Sequence, residues 1–173
     1  MAKQALVITD MLNDFLDPAG ALFVGEAGRA IIPFVAAKID AMRREQAVII
    51  FLADAHDPND PEFSRFPPHA VQGTWGAQVI PQLRIAPGDY VVAKTTFSGL
   101  FGTELRDILT REEVQEVHLV GVCTSICVME TARDLDLHGF RVVVYRDGVA
   151  DLNREDHDWA LERMTRLFGV QVR

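Results

Sequence analysis

The sequence predicts an α/β fold built on a mainly parallel sheet. Two observations carry that prediction. Short apolar runs, each closing on a polar or charged residue, read as buried parallel strands. Between them lie stretches with apolar residues at helical spacing, punctuated by residues that start and stop helices.

Residues 5–8 form the first run and end in Thr9-Asp10. Ile31, Ile32, Val35, Ile39 and Met42 then recur at helical spacing, and Pro33 suits the first turn of that helix. A second run, 47–52, leads to Asp54, and a third, 90–93, leads to Lys94. Residues 102–109 read as a short helix. The run 117–122 leads into Cys123, and 124–138 reads as a helix opened by Thr124 as N-cap and stopped by Gly139. A last run, 142–145, leads to Asp147. The closing helix, 153–168, carries Trp159, Met164, Leu167 and Phe168 on one side and ends at Gly169. Segment 55–75 breaks this rhythm. It holds Pro58, Pro61, Pro67 and Pro68, yet Phe63, Phe66, Trp75, His56 and His69 argue for an ordered, functional loop.

Composition narrows the function classes. A chain of 173 residues predicts one domain, 1–173, able to bury about 70% of its unfolded surface without a disulfide or zinc staple. Lys+Arg 17 against Asp+Glu 25 gives a net charge of −8 with no basic cluster, so neither nucleic acid nor an anionic membrane is the expected partner. No apolar run approaches ~18 residues and the N-terminus lacks signal-peptide features, which predicts a cytoplasmic protein. The two cysteines are too few for a disulfide framework.

Parallel sheets place their sites at the C-terminal ends of the strands. Here those ends carry Asp10, Asp54, Lys94 and the segment 123–127. Cys127 falls in the first turn of the helix after 117–122. A thiol there feels the positive helix end, which favours the thiolate, and free backbone N–H groups beside it can receive an oxyanion. The same position also suits a small buried hydrophobe. Thiolate attack on an amide needs a proton carrier and a cation, and Asp10 and Lys94 are the best placed. Each taken singly reads as a structural residue; the combination is what points to catalysis.

Asp54 and His56, two apart at a strand mouth, can chelate one ion, with Glu62 and His69 further along the loop. Imidazole and carboxylate suit zinc, iron or manganese. Singly these are solvated loop residues; as a set they predict a metal site. His118, His138 and His157 have no such company and read as surface or structural. Cys123 and Cys127 are separated by three residues, not the two of a redox dithiol, and a disulfide would disrupt the helix start.

These residues resemble the nicotinamidase branch of the isochorismatase-like cysteine hydrolases. The likeness covers most of the chain and rests on VITDMLNDFLDPAGAL, FLADAHDPNDPEF with FPPHAVQGTWGA, VVAKTTFSGLFGTEL and VGVCTSICVMETARDLDLHGFRVVVYRDGVAD, in that order. The resemblance implies the three-layer α/β/α fold of that family. It implies Asp10, Lys94 and Cys127 as catalytic triad, with the backbone N–H groups of Cys123 and Cys127 as oxyanion donors and a cis Val122–Cys123 bond. It implies Asp54, His56 and His69 as metal ligands, with Glu62 at a further position and zinc placed before iron or manganese. Phe15 and Phe66 match positions flanking the substrate ring. The implied activity is hydrolysis of nicotinamide to nicotinate and ammonia through a thioester, the metal orienting the pyridine nitrogen, with a role in NAD salvage. Two departures stand out: Ser125 where many members have Asp, and Phe66 where many have Trp. The alternatives are a cysteine hydrolase of another small amide, an isochorismatase-type hydrolase, and a non-catalytic binding or thiol redox protein. A homo-oligomer is compatible with all of them.

Overall fold

The computed structural model describes residues 2–173. The strands β1 (Gln4–Thr9), β2 (Val48–Asp54), β3 (Tyr90–Lys94), β4 (Glu116–Val122), β5 (Arg141–Ala150) and β6 (Gln171–Val172) form one sheet in the order β3-β2-β1-β4-β5-β6. Every pairing is parallel. The helices are α1 (Asn13–Leu16), α2 (Glu26–Ala30), α3 (Ile32–Arg44), α4 (Leu105–Arg111), α5 (Met129–Leu137) and α6 (Arg154–Leu167).

Successive strand residues face opposite ways, so the apolar residues of β1 divide between two cores. Ala5 and Val7 join the cluster under α4, α5 and α6, while Leu6 and Ile8 join the cluster with Val35, Ile39 and Met42 of α3. β2 is buried along its whole length. Helices therefore cover both faces, giving the three layers expected. α3 buries one stripe, carries Pro33 in its first turn and ends in Arg43 and Arg44, whose charge suits the negative helix end. α6 is capped by the Asn153 side chain, which accepts from the Asp156 N–H at 2.9 Å.

Several elements differ from the sequence reading. The short helix begins at Leu105, beyond Gly102 with its φ of 68°. On α6 the buried face is Ala160, Leu161 and Met164, while Trp159 and Leu167 are exposed, so the helix packs on a face that only Met164 shares with the spacing read from the sequence. β5 runs past Asp147 to Ala150 and shifts register against β4 between Leu119 and Gly121. The short elements α1, α2 and β6 carry too few residues to show a period. Thr124 does not cap a helix: Cys123 holds the cap position, and the Thr124 hydroxyl pairs instead with His157 Nδ1 at 2.8 Å. The turn is also wider than an α-helical one. Residues Thr124–Val128 form a π-turn, closed by the Val128 N–H donating to the Cys123 carbonyl at 3.1 Å, before α5 continues from Met129.

The strand order reverses direction between β1 and β4, the kind of switch point where open α/β sheets bind ligands. Gly121 makes that junction possible. Its φ is 117°, and a Cβ there would overlap the Thr9 carbonyl of β1.

Candidate active site

Strand register assembles the first cluster. Asp54 and Lys94 are direct partners on β2 and β3, and Thr9 is opposite Leu52 on β2 and Gly121 on β4. Asp10, next in the chain, turns out of β1 with a φ of 51°. Its Oδ1 accepts from the Asp54 N–H at 2.9 Å. The π-turn brings Cys127 to the same place from β4.

Lys94 Nζ is the hub. It donates to an Asp54 carboxylate oxygen, to the Thr96 carbonyl at 3.1 Å and to Cys127 Sγ at 3.4 Å, and it lies 2.8 Å from Asp10 Oδ2. That Asp10 oxygen is buried and, among the described residues, no donor is aligned on it for a hydrogen bond. It is therefore an ion-paired oxygen with its lone pairs still open.

Burial and charge set the protonation states. Burial, with the like charge of Asp54, pushes Asp10 up to about 6 against the pull of Lys94. Burial also acts to raise Asp54, but Lys94 and His56 outweigh it and hold the carboxyl below its usual range. For Lys94 burial works against the charge, while Asp10, Cys127 and Asp54 more than compensate and hold the ammonium well above its ordinary value. Cys127 goes the other way. Burial pushes its thiol well up; Lys94 opposes this, and Asp10 and Asp54 add to the rise. The helix end favours the thiolate, and burial among carboxylates works against it at this position.

The second cluster adjoins the first. A side-chain oxygen or nitrogen from each of Asp54, His56 and His69 lies within 4.8 Å of the others, all three residues being buried. Asp54 belongs to both clusters: one oxygen meets Lys94 while Oδ2 lies 3.6 Å from His56 Nε2. Glu62, on the single 3₁₀ turn Pro61–Ser64, is 4.0 Å from His69 Nε2 through Oε1. His69 Nδ1 donates to the Pro67 carbonyl at 2.8 Å, which leaves Nε2 to face the cluster. His56 Nδ1 lies 3.0 Å from Asp60 Oδ2, while its Nε2 is buried without a hydrogen-bond partner among the described residues. An orphaned buried imidazole nitrogen beside a second imidazole and two carboxylates is a donor set that fits a divalent cation such as zinc. Burial acts to lower His56, but Asp54, Asp60 and Glu62 outweigh it and hold the imidazole up at about 9.

A pocket of about 410 Å³, counted with its open mouth, joins the clusters and is lined by Asp10, Cys123, Cys127, Asp54, Glu62 and His69. Its apolar walls include Phe15, Phe66, Phe97 and Ile126. Phe15 and Phe66 stand around His69 at centroid distances of 5.5 and 6.1 Å, and Phe97 meets Phe66 edge-on at 6.4 Å. The Val122–Cys123 peptide is cis. Both cysteines are free. Ser125 donates its N–H to Asp151 Oδ2 at 2.6 Å, so a carboxylate from the end of β5 serves the turn.

Of the candidate site residues, Asp10, Phe15, Asp54, Glu62, Phe66, His69, Cys123 and Cys127 line this pocket, while Lys94 and His56 adjoin it through Cys127 and Asp54. The other histidines are occupied elsewhere: His118 is buried between Tyr145 and Glu116, His138 Nδ1 donates to the Asp134 carbonyl at 2.7 Å, and His157 holds Thr124. Sequence reasoning missed Phe97, Asp60 and Asp14. Asp14 is a buried carboxylate accepting from the Ala21 N–H at 3.0 Å and the Ala70 N–H at 2.7 Å, and so ties the His69 segment to α1. The one legible signal was Asp60-Pro61-Glu62, the pattern of a helical start.

The model of the isochorismatase domain matches residues 4–173. The chain is 37% identical to a Bacillus subtilis protein, named as the uncharacterized isochorismatase family protein PncA, over 98% of both chains. It is 32% identical to the nicotinamidase/pyrazinamidase of Mycobacterium tuberculosis, covering 98% of this chain and 97% of that one. Among solved structures, the pyrazinamidase of Pyrococcus horikoshii in complex with zinc superposes with a TM-score of 0.93 at 34% identity, covering 99% of this chain and 98% of that one. Domain match and relatives together indicate an amidohydrolase. With its parallel sheet, its Asp–Lys–Cys cluster and that match over nearly its whole length, this chain belongs to the isochorismatase family.

Proposed function

We propose that this single domain, residues 1–173, is a nicotinamidase that hydrolyses nicotinamide to nicotinate and ammonia through a thioester on Cys127. The observation that carries the reading is the junction of the two clusters: a thiol 3.4 Å from a buried ammonium, next to a donor set for a metal, at one aromatic pocket. The similarity to nicotinamidases and pyrazinamidases adds support for a pyridine carboxamide or a close relative as substrate. In this reading the protein works in the cytoplasm and in NAD salvage.

Asp10 Oδ2 takes the proton from Cys127 Sγ as sulfur attacks the carboxamide carbon. The N–H groups of Cys123 and Cys127 receive the charge that builds on the oxygen. The C–N bond then breaks, Asp10 returns its proton to the leaving nitrogen, and ammonia departs. Water, deprotonated by Asp10, opens the thioester to nicotinate and restores the thiol. Lys94 stays protonated and balances whichever neighbour carries charge: Asp10 at rest, the sulfur during attack. Phe15 and Phe66 pack against the ring. Asp54, His56 and His69, with Glu62 beside them, would hold one divalent ion, zinc before iron or manganese, which supplies a Lewis-acid contact for the ring nitrogen.

Two measurements test this. Ammonia release is followed on nicotinamide beside pyrazinamide and a panel of small aliphatic amides, and nicotinamide is expected to give the highest kcat/KM. Metal content is measured for the wild type, Asp54→Ala and His69→Ala. Normal metal content and normal KM in both variants would remove the metal assignment; a preference for aliphatic amides would move the enzyme to another small-amide substrate.

A further inference from the structure

Asp60 is not one of the buried Asp54, His56 and His69 donors; its partly buried carboxylate lies within 4.8 Å of donor atoms on His56 and Glu62 and touches both residues. Its Oδ2 is 3.0 Å from His56 Nδ1, and its Oδ1 accepts from the Glu62 N–H at 2.8 Å. The carbonyl of Asp60 accepts from the Phe63 N–H at 3.0 Å, closing the turn on which Glu62 sits. Asp60 is only partly buried, and nothing else in the 57–60 segment reaches both side chains.

We propose that Asp60 is a positioning residue for the metal donors, one oxygen fixing the ring of His56 and the other fixing the turn that bears Glu62. This rests on the metal reading above. The physical reason lies in imidazole chemistry. A neutral imidazole has one N–H and one lone pair, so a hydrogen bond from Nδ1 to a carboxylate commits the lone pair to Nε2. Nε2 is the nitrogen that faces Asp54, 3.6 Å from its Oδ2, and that lacks a hydrogen-bond partner among the described residues. His69 is fixed in the same sense by the Pro67 carbonyl, but a carboxylate also raises the basicity of the ligand nitrogen. One anionic side chain thus orients, and strengthens, a neighbouring donor without itself reaching the ion.

Two substitutions break the contact to His56 and keep the cap on the Glu62 turn. Asp60→Asn keeps one acceptor oxygen, enough for the Glu62 N–H, and turns an N–H₂ donor toward His56 Nδ1–H. Asp60→Ser keeps a capping oxygen for the turn and is too short to reach His56. Asp57→Asn is the control: it removes the same charge from the same loop, where the Asp57 side chain accepts from the Asn59 N–H at 2.9 Å and its carbonyl, unchanged by the substitution, accepts from the Asp60 N–H at 3.0 Å.

Zinc affinity of the purified metal-free proteins is measured by competition with a chromophoric chelator, together with the thermal midpoint without metal. Both Asp60 variants are expected to bind zinc about 10- to 100-fold more weakly, with metal-free midpoints near that of the wild type. In the zinc-loaded wild type the His56 Nδ1–H proton is expected as a protected, downfield imidazole signal, lost in Asp60→Asn. Asp57→Asn is expected within about threefold of wild type. Zinc affinity within threefold of wild type in both Asp60 variants overturns the proposal, as does an equal loss in Asp57→Asn. Asp54→Ala, run in parallel, separates the two levels. If it binds zinc as the wild type does, the metal reading itself fails; if it loses zinc while the Asp60 variants keep it, only the role of Asp60 fails.

Discussion

Replacing Lys94 by methionine removes the one cation of the buried cluster and nearly preserves its volume. In the wild type that ammonium meets Asp10, Asp54, the Thr96 carbonyl and Cys127 Sγ, with 2% of the residue exposed. Methionine leaves two carboxylates facing each other without a counter-charge. Breaking a buried pair in this way costs about 3–5 kcal/mol. For a chain of this size each kcal/mol moves Tm by about 2–4 °C, so the expected fall is about 6–20 °C. The loss also depends on pH with a defined sign. Lys94 holds Asp54 below its usual range and opposes the rise of Asp10, so without it both native carboxyls titrate higher. A carboxyl whose folded pKa is raised binds a proton more tightly in the native state, and its contribution is lost as pH climbs. Relative to wild type, Lys94→Met is expected to lose up to about 1.4 kcal/mol more per pH unit between pH 6 and pH 8 for one such group. Denaturant unfolding with a chelator present, at pH 6 and pH 8, measures both terms. A loss below about 1 kcal/mol that is equal at the two pH values would refute the idea that Lys94 balances Asp10 and Asp54.

Cys127→Ala is expected to abolish ammonia release, at least about 10⁴-fold, while the fold and nicotinate binding persist; retained turnover would sink the thioester route. With Asp10 pushed up to about 6, kcat/KM on nicotinamide is expected to fall about tenfold per pH unit below pH 6 and to level off above it, read from a pH–rate profile. A flat profile between pH 5 and 7 would argue against Asp10 as the base. Gly121→Ala is expected to cost at least about 3 kcal/mol, because it adds a Cβ against the Thr9 carbonyl at a φ of 117°; unfolding midpoints near wild type would show that β1 and β4 can part.

Much of the architecture was legible in the one-dimensional pattern. β1, β2 and β4 are apolar on both faces because helices cover both, so each reads as a continuous run ending at a polar residue. Val35, Ile39 and Met42 of α3 show their period because they pack on one sheet face only. The candidate residues Asp10, Asp54, Lys94 and Cys127 could be picked out for the same reason: in a parallel sheet they sit at the ends of such runs. α6 was harder. Its burial depends on which side the rest of the chain covers, and Trp159 and Leu167 are exposed there although their spacing looks apolar.

What the sequence by itself determined is the fold class, the order of the longer helices and strands, and a short set of candidate reactive side chains. Only the tertiary structure decided how those side chains share charge. Register brings Asp54 opposite Lys94, close approach at Gly121 lets β1 and β4 meet, and the π-turn delivers Cys127 beside both. Desolvation then opposes a local tendency, since burial among carboxylates pushes the Cys127 thiol up where the helix end alone favours the thiolate. The double role of Asp54 and the reach of Asp60 to both His56 and Glu62 are likewise invisible in sequence. Burial and through-space Coulomb forces depend on separations of a few ångströms between residues far apart in the chain, and no local pattern of residues records them.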